Sequence, residues 1–419
     1  MMAIQSLTGF FNQEIPFLDA LLDHRINCVS GLYYSKGNAK NPGQSFIDFG
    51  SDPTHRAISD SLGAKILSVT NKSAPIFSQI GWTPPPLLSD RLGLILGLRY
   101  NRDIRHGAGV KGDYSFRNTQ FLPAFTANYR WSGDLTTYAK VATGYRAGYR
   151  GLEADYSGTV GPESLKSYEV GMKSYFLDRR VRFNAAAFVT KYKDRQVSIG
   201  VPSDVPAVHI FTTLNAGRQS VKGIELEALM EPIDDLTLAL NYAHLHNHVD
   251  YLSAFGGGLY DKTGNPVSPY TAGDNIGDTY PVAPTPADSI GASVDYTVLH
   301  FSENTLTAHL DFRYQSYIAQ TASAAPGHEL IRLPSCGLPN GRLAWTFELP
   351  GNHHAKISAW SRNLTDKCYL TSNFPTGDNG SSVPTFVGDI PGYTTTVIQA
   401  WSEPRSYGID LSYRFLLSC

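Results

Sequence analysis

A chain of 419 residues with 42% apolar, 12% aromatic and 17% charged side chains has material for a large ordered fold and no compositional mark of disorder. Its formal charge of -2 offers no basic footprint for nucleic acid, so none is expected as a partner. No stretch approaches the roughly 18 consecutive apolar residues of a membrane helix, and mean hydropathy is slightly negative at -0.21; a β-barrel escapes that test, because only every second residue of a spanning strand meets lipid.

Along the chain, Leu92, Leu94, Leu96 and Leu98 share one strand face against Gly93, Ile95, Gly97 and Arg99, after a short turn at 84–90 and before a loop predicted near 104–117. Tight reversals follow at Ser132-Gly133-Asp134, Leu177-Asp178-Arg179, Pro232-Ile233-Asp234-Asp235, 300–304 and 350–353. Between them, long excursions rich in Gly, Pro, Asp, Ser and Tyr are predicted at 147–162, 198–217, 251–283, 319–329 and 363–403. Ile224, Leu226, Ala228 and Met230 oppose Gly223, Glu225 and Glu227. Ile290, Ala292, Val294, Tyr296 and Val298 oppose Ser289, Gly291, Ser293, Asp295 and Thr297, and Leu306, Ala308, Leu310, Phe312 and Tyr314 oppose Thr307, His309, Asp311 and Arg313. The last strand is the clearest: Tyr407, Ile409, Leu411, Tyr413 and Phe415 point one way, Gly408, Asp410, Ser412 and Arg414 the other.

Strands that are apolar on one face and charged on the other describe a wall between lipid and water, and only a closed antiparallel barrel satisfies strand hydrogen bonds inside a membrane. Short turns alternating with long loops put every long loop at one rim, as in bacterial outer-membrane barrels. The predicted fold is all-β, a transmembrane antiparallel up-and-down β-barrel of roughly 14 or 15 strands, each near the 9 to 11 residues needed to cross at a tilt. The soluble alternative is a large β-sandwich or propeller; no blade-length repeat is visible.

Specific words then match a family. Gly144-Tyr145-Arg146-Ala147-Gly148 and Gly161-Pro162-Glu163-Ser164-Leu165-Lys166-Ser167-Tyr168-Glu169-Val170-Gly171-Met172-Lys173 closely resemble the mid-barrel signature of TonB-dependent outer-membrane receptors. The match continues through Asn184-Ala185-Ala186-Ala187-Phe188, Asn215-Ala216-Gly217 and Lys222-Gly223-Ile224-Glu225-Leu226-Glu227. Arg362-Asn363-Leu364-Thr365-Asp366-Lys367 and Pro404-Arg405-Ser406-Tyr407-Gly408 resemble the family's last two strands. The resemblance is clearest over 87–415, and the whole chain, 1–419, reads as barrel domain. It implies a barrel of about 22 strands, closed inside by an N-terminal plug domain, with a coupling segment ahead of it on which the TonB–ExbB–ExbD system pulls. Neither plug nor coupling segment is recognised, and Met1-Met2-Ala3-Ile4-Gln5-Ser6 is no secretory signal, so the expectation is a partial barrel with its start truncated. The family's last strand ends on its aromatic residue; here Leu416-Leu417-Ser418-Cys419 follow Phe415.

What the resemblance implies about function is capture and energised import of a scarce nutrient, usually a ferric siderophore, across the outer membrane of a Gram-negative bacterium, with outer-membrane lipid around the barrel. A passive porin-like channel, a remnant without transport and a soluble β-rich carbohydrate-binding protein remain as alternatives. Candidate ligand residues are the loop cations and aromatics Arg146, Tyr149, Arg150, Tyr156, Tyr260, Tyr270 and Tyr280, suited to an anionic chelate or to stacking; solvated rim charge is the plainer description of the arginines.

His244, His246 and His248 alternate along one strand, a spacing that admits a metal, but they continue the face of Leu236, Leu238, Leu240 and Tyr242, where an interfacial belt is the simpler reading. His353-His354 reads as part of a solvated turn. Trp82, Trp131, Trp345, Trp360 and Trp401 fall near strand ends, where girdle placement explains most of them. Cys28, Cys336, Cys368 and Cys419 have no metal or redox spacing, and no essential disulfide is expected. No Gly-x-Ser-x-Gly elbow, His-Glu-x-x-His or phosphate-cradling glycine loop occurs, so neither an enzyme nor a bound cofactor is expected.

Overall fold

The structure, a computed structural model, describes residues 2–7, 25–41, 67–85, 90–109, 112–150, 159–202, 209–253, 273–275, 277, 285–319, 332–349, 353–377 and 395–415. Its strands in chain order are β1 (Met2–Leu7), β2 (Ile26–Leu32), β3 (Tyr34–Asn41), β4 (Leu67–Ser73), β5 (Ile76–Trp82), β6 (Leu92–Gly109), β7 (Gly112–Arg130) and β8 (Leu135–Arg146). There follow β9 (Tyr149–Arg150), β10 (Thr159–Val160), β11 (Glu163–Phe176), β12 (Val181–Pro202), β13 (His209–Ile233), β14 (Leu236–Leu252), β15 (Asp288–Phe301) and β16 (Asn304–Gln315). The last are β17 (Ile318–Ala319), β18 (Arg332–Leu333), β19 (Cys336–Leu349), β20 (His353–Arg362), β21 (Leu370–Gly377), β22 (Thr395–Trp401) and β23 (Ser406–Arg414).

Seventeen of these strands form one sheet in which every neighbour is antiparallel. The pair β2 and β3 keeps one register against β4 and β5 across the breaks at Tyr33 and at Ala74-Pro75, so each pair is a single stave interrupted once. Backbone bonds from Tyr33 N–H to Pro75 O (3.1 Å) and from Ala74 N–H to Arg102 O (3.0 Å) carry the ladder through. The seventeen strands thus make fifteen staves, in the predicted range, in simple up-and-down order from β1 to β23. Among the described residues no ladder joins β1 to β23, which are the two edges of the sheet. No helix among them is long and apolar enough to cross a membrane, which says nothing about crossing by strands.

The two faces of the sheet have opposite chemistry, and the registers tie them together stave by stave. Leu96, Phe125, Val141 and Tyr168 follow one another across β6, β7, β8 and β11 on one face, joined farther along by Ile224, Leu240, Val294, Leu310 and Leu343; all are exposed. A continuous exposed apolar surface of this extent marks a lipid-facing wall. The other face carries Glu169, Glu225, Glu227, Asp295, Asp311, Arg313, Arg342 and Asp410, linked sideways by side chains. Tyr138 Oη donates to Glu169 (2.7 Å), Asn184 Nδ2 to Glu227 (3.0 Å), Asn340 Nδ2 to Asp311 (2.7 Å) and Trp360 Nε1 to Asp410 (3.1 Å), while His309 Nδ1 meets Asp295 at 2.6 Å. Trp360 therefore belongs to this inner wall and not to an aromatic girdle. Gly171 gives Tyr138 its room: a Cβ there would meet the ring at 2.7 Å.

The tight reversals fall at one end of the sheet, where left-handed backbone turns the chain at Leu177, Asp178 and Arg179 and at Asp235 and Ser302. The predicted turn at 350–353 lies partly outside the described residues; His353 and His354 themselves open β20, with His353 stacked on Tyr413 and His354 Nδ1 bonded to Glu348 at 2.7 Å. At the opposite end two predicted loops prove to be strand. β6 and β7 stay paired as far as Gly109 and Gly112, through the predicted 104–117 loop, and β12 and β13 pair out to Pro202 and His209, through most of 198–217. Strands of 22 and 25 residues are roughly twice the length a bilayer needs. The 363–403 excursion contains the β21–β22 hairpin, and the 319–329 excursion leaves through the short β17–β18 pairing.

A wall one strand thick has no interior, so nearly all burial lies where the long strands rise beyond the apolar band. Tyr114, Val160, Val197, Val249 and Leu252 are buried there, Val160 and Leu252 to 1% exposure. That small core fixes the roots of the long loops.

Candidate functional site at the loop rim

Three of the family-like words meet in this core. The ladder between β7 and β8 ends at the pair Ala124 and Ala142, and beyond it Asn118 takes over: its Nδ2 donates to Gly148 O and its Oδ1 accepts from Gly148 N–H, both at 3.2 Å. Gly148 is buried so closely that a Cβ would strike Val160 O and lie 2.8 Å from the Gly161 carbonyl carbon. From the other side Gln196 Nε2 donates to Ala147 O and to Gly161 O, each at 3.0 Å, and the Gln196 N–H donates to Glu163 Oε2 at 2.8 Å. Asn215 closes the cluster, donating from Nδ2 to Gly161 O (2.9 Å) and Asp194 O (2.8 Å) and accepting the Gly161 N–H on Oδ1. Asp194 stands in left-handed backbone at a bulge of β12, and Asn215 caps the carbonyl that the bulge frees.

On this base stands the short ribbon in which Tyr149 pairs with Val160 and Arg150 with Thr159. Arg105, on the inner face of β6, lays its guanidinium over the Tyr149 ring, 4.7 Å from the centroid. Its Nε is buried without a hydrogen-bond partner among the described residues, as are Arg195 Nη1 and Gln196 Oε1. Buried donors and acceptors are nearly always satisfied, so this inner corner of the rim has polar capacity to spare. Arg146, opposite Glu163 in the β8–β11 ladder, is exposed at the end of β8.

Of the ligand candidates named from sequence, Arg146 ends β8, Tyr149 supports Arg105 and Arg150 pairs through its backbone with Thr159, while Tyr156, Tyr260, Tyr270 and Tyr280 lie outside the described residues. Sequence reasoning missed Arg105, Asn118 and Gln196. Arg105 fell in a predicted loop, and the available signal was parity: it continues the inner face of Gly97, Arg99 and Asn101. The remaining candidates separate. His244 Nδ1 bonds to Asp288 Oδ1 (2.8 Å), which also accepts from Tyr242 Oη (2.9 Å), while His248 lies 4.0 Å from Asp250. Among the described residues no three His, Cys, Asp or Glu side chains stand close enough to share a metal ion, and Cys28, Cys336 and Cys368 are free thiols. A second concavity, of about 610 Å³, is lined in part by Glu225, Glu227, Asn241, Arg313 and Gln315. Its two carboxylates disfavour an anion, which sets it below the arginine corner as an anionic-ligand site.

Comparison with known proteins agrees with the fold. A family model described as "TonB dependent receptor-like, beta-barrel" matches residues 6–364. A probable TonB-dependent siderophore receptor of Acinetobacter baumannii, PiuA, is 26% identical over 293 residues, which are 58% of this chain and 35% of that protein. The ferric yersiniabactin uptake receptor FyuA of Yersinia pestis superposes with a TM-score of 0.61 at 19% identity, over 92% of this chain and 51% of that one. BauA, the ferric preacinetobactin receptor of Acinetobacter baumannii, gives 0.61 at 15% identity, over 93% and 51%. The chain spans about half the length of these solved receptors and about a third of that of PiuA.

Proposed function

Because the chain belongs to the TonB-dependent receptor-like β-barrel family, we propose that it forms barrel wall in the outer membrane of a Gram-negative bacterium and docks a ferric siderophore at the inner side of its loop rim. Members of the family are outer-membrane proteins that bind ferric siderophores and work with the TonB system; they are receptors and transporters rather than enzymes. For this chain, import of the cargo, coupling to TonB and the lack of catalysis are parts of the proposal.

The observation that carries the reading is the Arg105 corner. An inward guanidinium with a buried Nε that has no hydrogen-bond partner among the described residues, steadied by the Tyr149 ring, is suited to an anionic, oxygen-rich chelate. The hydrogen-bonded base formed by Asn118, Gly148, Gly161, Gln196 and Asn215 keeps that corner at a fixed height above the apolar band.

The test is a binding titration. The 419-residue chain in detergent is titrated with ferric catecholate, ferric hydroxamate and ferric citrate chelates, following tryptophan and tyrosine fluorescence, with the iron-free chelators as controls. Saturable quenching by a ferric chelate, and weaker quenching by its iron-free form, is the expected result. No saturation with any of the chelates refutes ligand docking by this chain.

A further inference from the structure

The outer face ends at the loop rim in a set of cations that the proposed ligand site does not use. On one rung of the sheet Lys36 lies opposite Lys72, Lys72 opposite Ile104, and Ile104 opposite Arg117. Two staves beyond Arg117, Lys166 lies opposite Lys191, and on the next rung toward the turns Lys222 lies between Val189 and His246. All of them are on the apolar face. Two-residue steps lead from Tyr100 through Arg102 to Ile104, whose rung holds the first group, from Tyr168 to Lys166, and from Ile224 to Lys222.

Each group stands immediately beyond the oily band, the first above Ile76, Tyr100 and Phe121, the second above Tyr168, Val170 and Ile224, all exposed. Long cationic stems at that height carry their ammonium groups into the head-group layer. Lys36 with Lys72 and Lys166 with Lys191 are like charges directly opposite one another, a destabilising arrangement unless an anion lies between them. None of these lysines and arginines has an ion-pair partner among the described residues. The turn-side rim is different in kind: its Arg179 and Arg180 are paired with Asp134 and Asp234.

We propose that the two lysine pairs, with Arg117 and Lys222 beside them, bind the phosphate-bearing head groups of anionic lipids in the leaflet on the loop side. This rests on the reading that the barrel spans a membrane. A phosphate between two opposed ammonium groups turns their repulsion into two charge-assisted hydrogen bonds. The asymmetry between the rims then orients the wall as well as anchoring it, because among the described residues the apolar face carries cations without an ion-pair partner at its loop-side rim alone.

The test has two arms on the full chain. In the first, protein is reconstituted into vesicles of phosphatidylcholine and floated on a density gradient. In the second, protein in detergent is equilibrated with phosphatidylglycerol and phosphatidylcholine together, and retained lipid is counted by native mass spectrometry. Phosphatidylglycerol should be retained preferentially, falling about fivefold for each cation removed in the variants Lys36→Gln with Lys72→Gln and Lys166→Gln with Lys191→Gln. Lys→Arg at the same positions should preserve retention, and Arg179→Gln with Arg180→Gln should not alter it. Replacing the lysines of a repelling pair removes their repulsion, and β-sheet circular dichroism confirms that each variant is folded. Wild-type protein that floats but shows no preference for phosphatidylglycerol, or Gln variants that retain it as well as wild type, overturns this inference alone. Protein that fails to float overturns the membrane-spanning reading beneath it.

Discussion

Asn118 and Gly148 are joined by two reciprocal hydrogen bonds, side chain to backbone in both directions, at a place where the β7–β8 ladder has already ended. One side chain therefore does the work of a missing rung. Asn118→Ala leaves the buried N–H and C=O of Gly148 unpaired, at a cost of about 1 to 3 kcal/mol each. The expected outcome is faster amide exchange at 147–149 with the β8–β11 ladder still protected. Asp at this position keeps the acceptor and should restore part of the protection; unchanged exchange in Asn118→Ala would show that the pair holds nothing.

Gly148 itself is the tighter constraint. Its missing Cβ is what lets the 147–148 segment lie against Val160 and Gly161. The two nearest obstacles are backbone atoms, with the Phe116 ring behind them, so the chain must move to admit even a methyl group. Gly148→Ala should destabilise the rim by about 1 to 3 kcal/mol, the usual cost of overpacking. Limited proteolysis within 149–159 should speed up in proportion. An Ala variant as resistant as wild type means the ribbon relaxes freely, and the rigid-base picture fails.

How much of this was legible in the sequence depends on whether lipid was the partner. Where one face meets acyl chains, as along Tyr407 to Phe415 or Leu306 to Tyr314, apolarity repeats every second residue and faces, turns and stave number could all be read. Above the apolar band both faces of a strand are wet or packed on loops, so the alternation fades while the hydrogen-bonded ladder continues. That is why 104–117 and 198–217 read as loops although their described residues are strand. Arg105 was lost with the first of these. The signature words of 144–148, 161–173 and 215–217 were visible as words, but their physical role, a side-chain lock on buried carbonyls, needed Gln196 and Asn118, which belong to none of them.

The face assignment itself is testable at two neighbouring positions. Leu310 on β16 lies opposite Val294 on the apolar face, while Ser293 lies opposite Asp311 on the charged one. Leu310→Arg should cost about 2 to 4 kcal/mol if the position is near the bilayer midplane, seen as a lower urea midpoint for vesicle-inserted protein. Ser293→Arg gains a carboxylate neighbour and should be close to neutral. Equal penalties at the two positions would mean that both faces meet the same medium, and the barrel reading would lose its basis.

At the ligand corner, two substitutions separate charge from shape. Arg105→Gln removes the inward cation and its buried Nε, and Tyr149→Phe keeps the ring that supports it. If the guanidinium takes a chelate oxygen in a charge-assisted hydrogen bond worth about 1.5 to 3 kcal/mol, Arg105→Gln should weaken ferric-chelate binding at least tenfold, while Tyr149→Phe should leave it within twofold. Tyr149→Ala falls between them, because the loss of a ring at 4.7 Å frees Arg105 to sample other positions at a cost of about 0.5 to 2 kcal/mol. Raising the salt concentration should erode the wild-type affinity more than that of Arg105→Gln, since only the former includes this charge. Should Tyr149→Phe instead prove the damaging change, the phenol hydroxyl and not the guanidinium is the group the ligand reads.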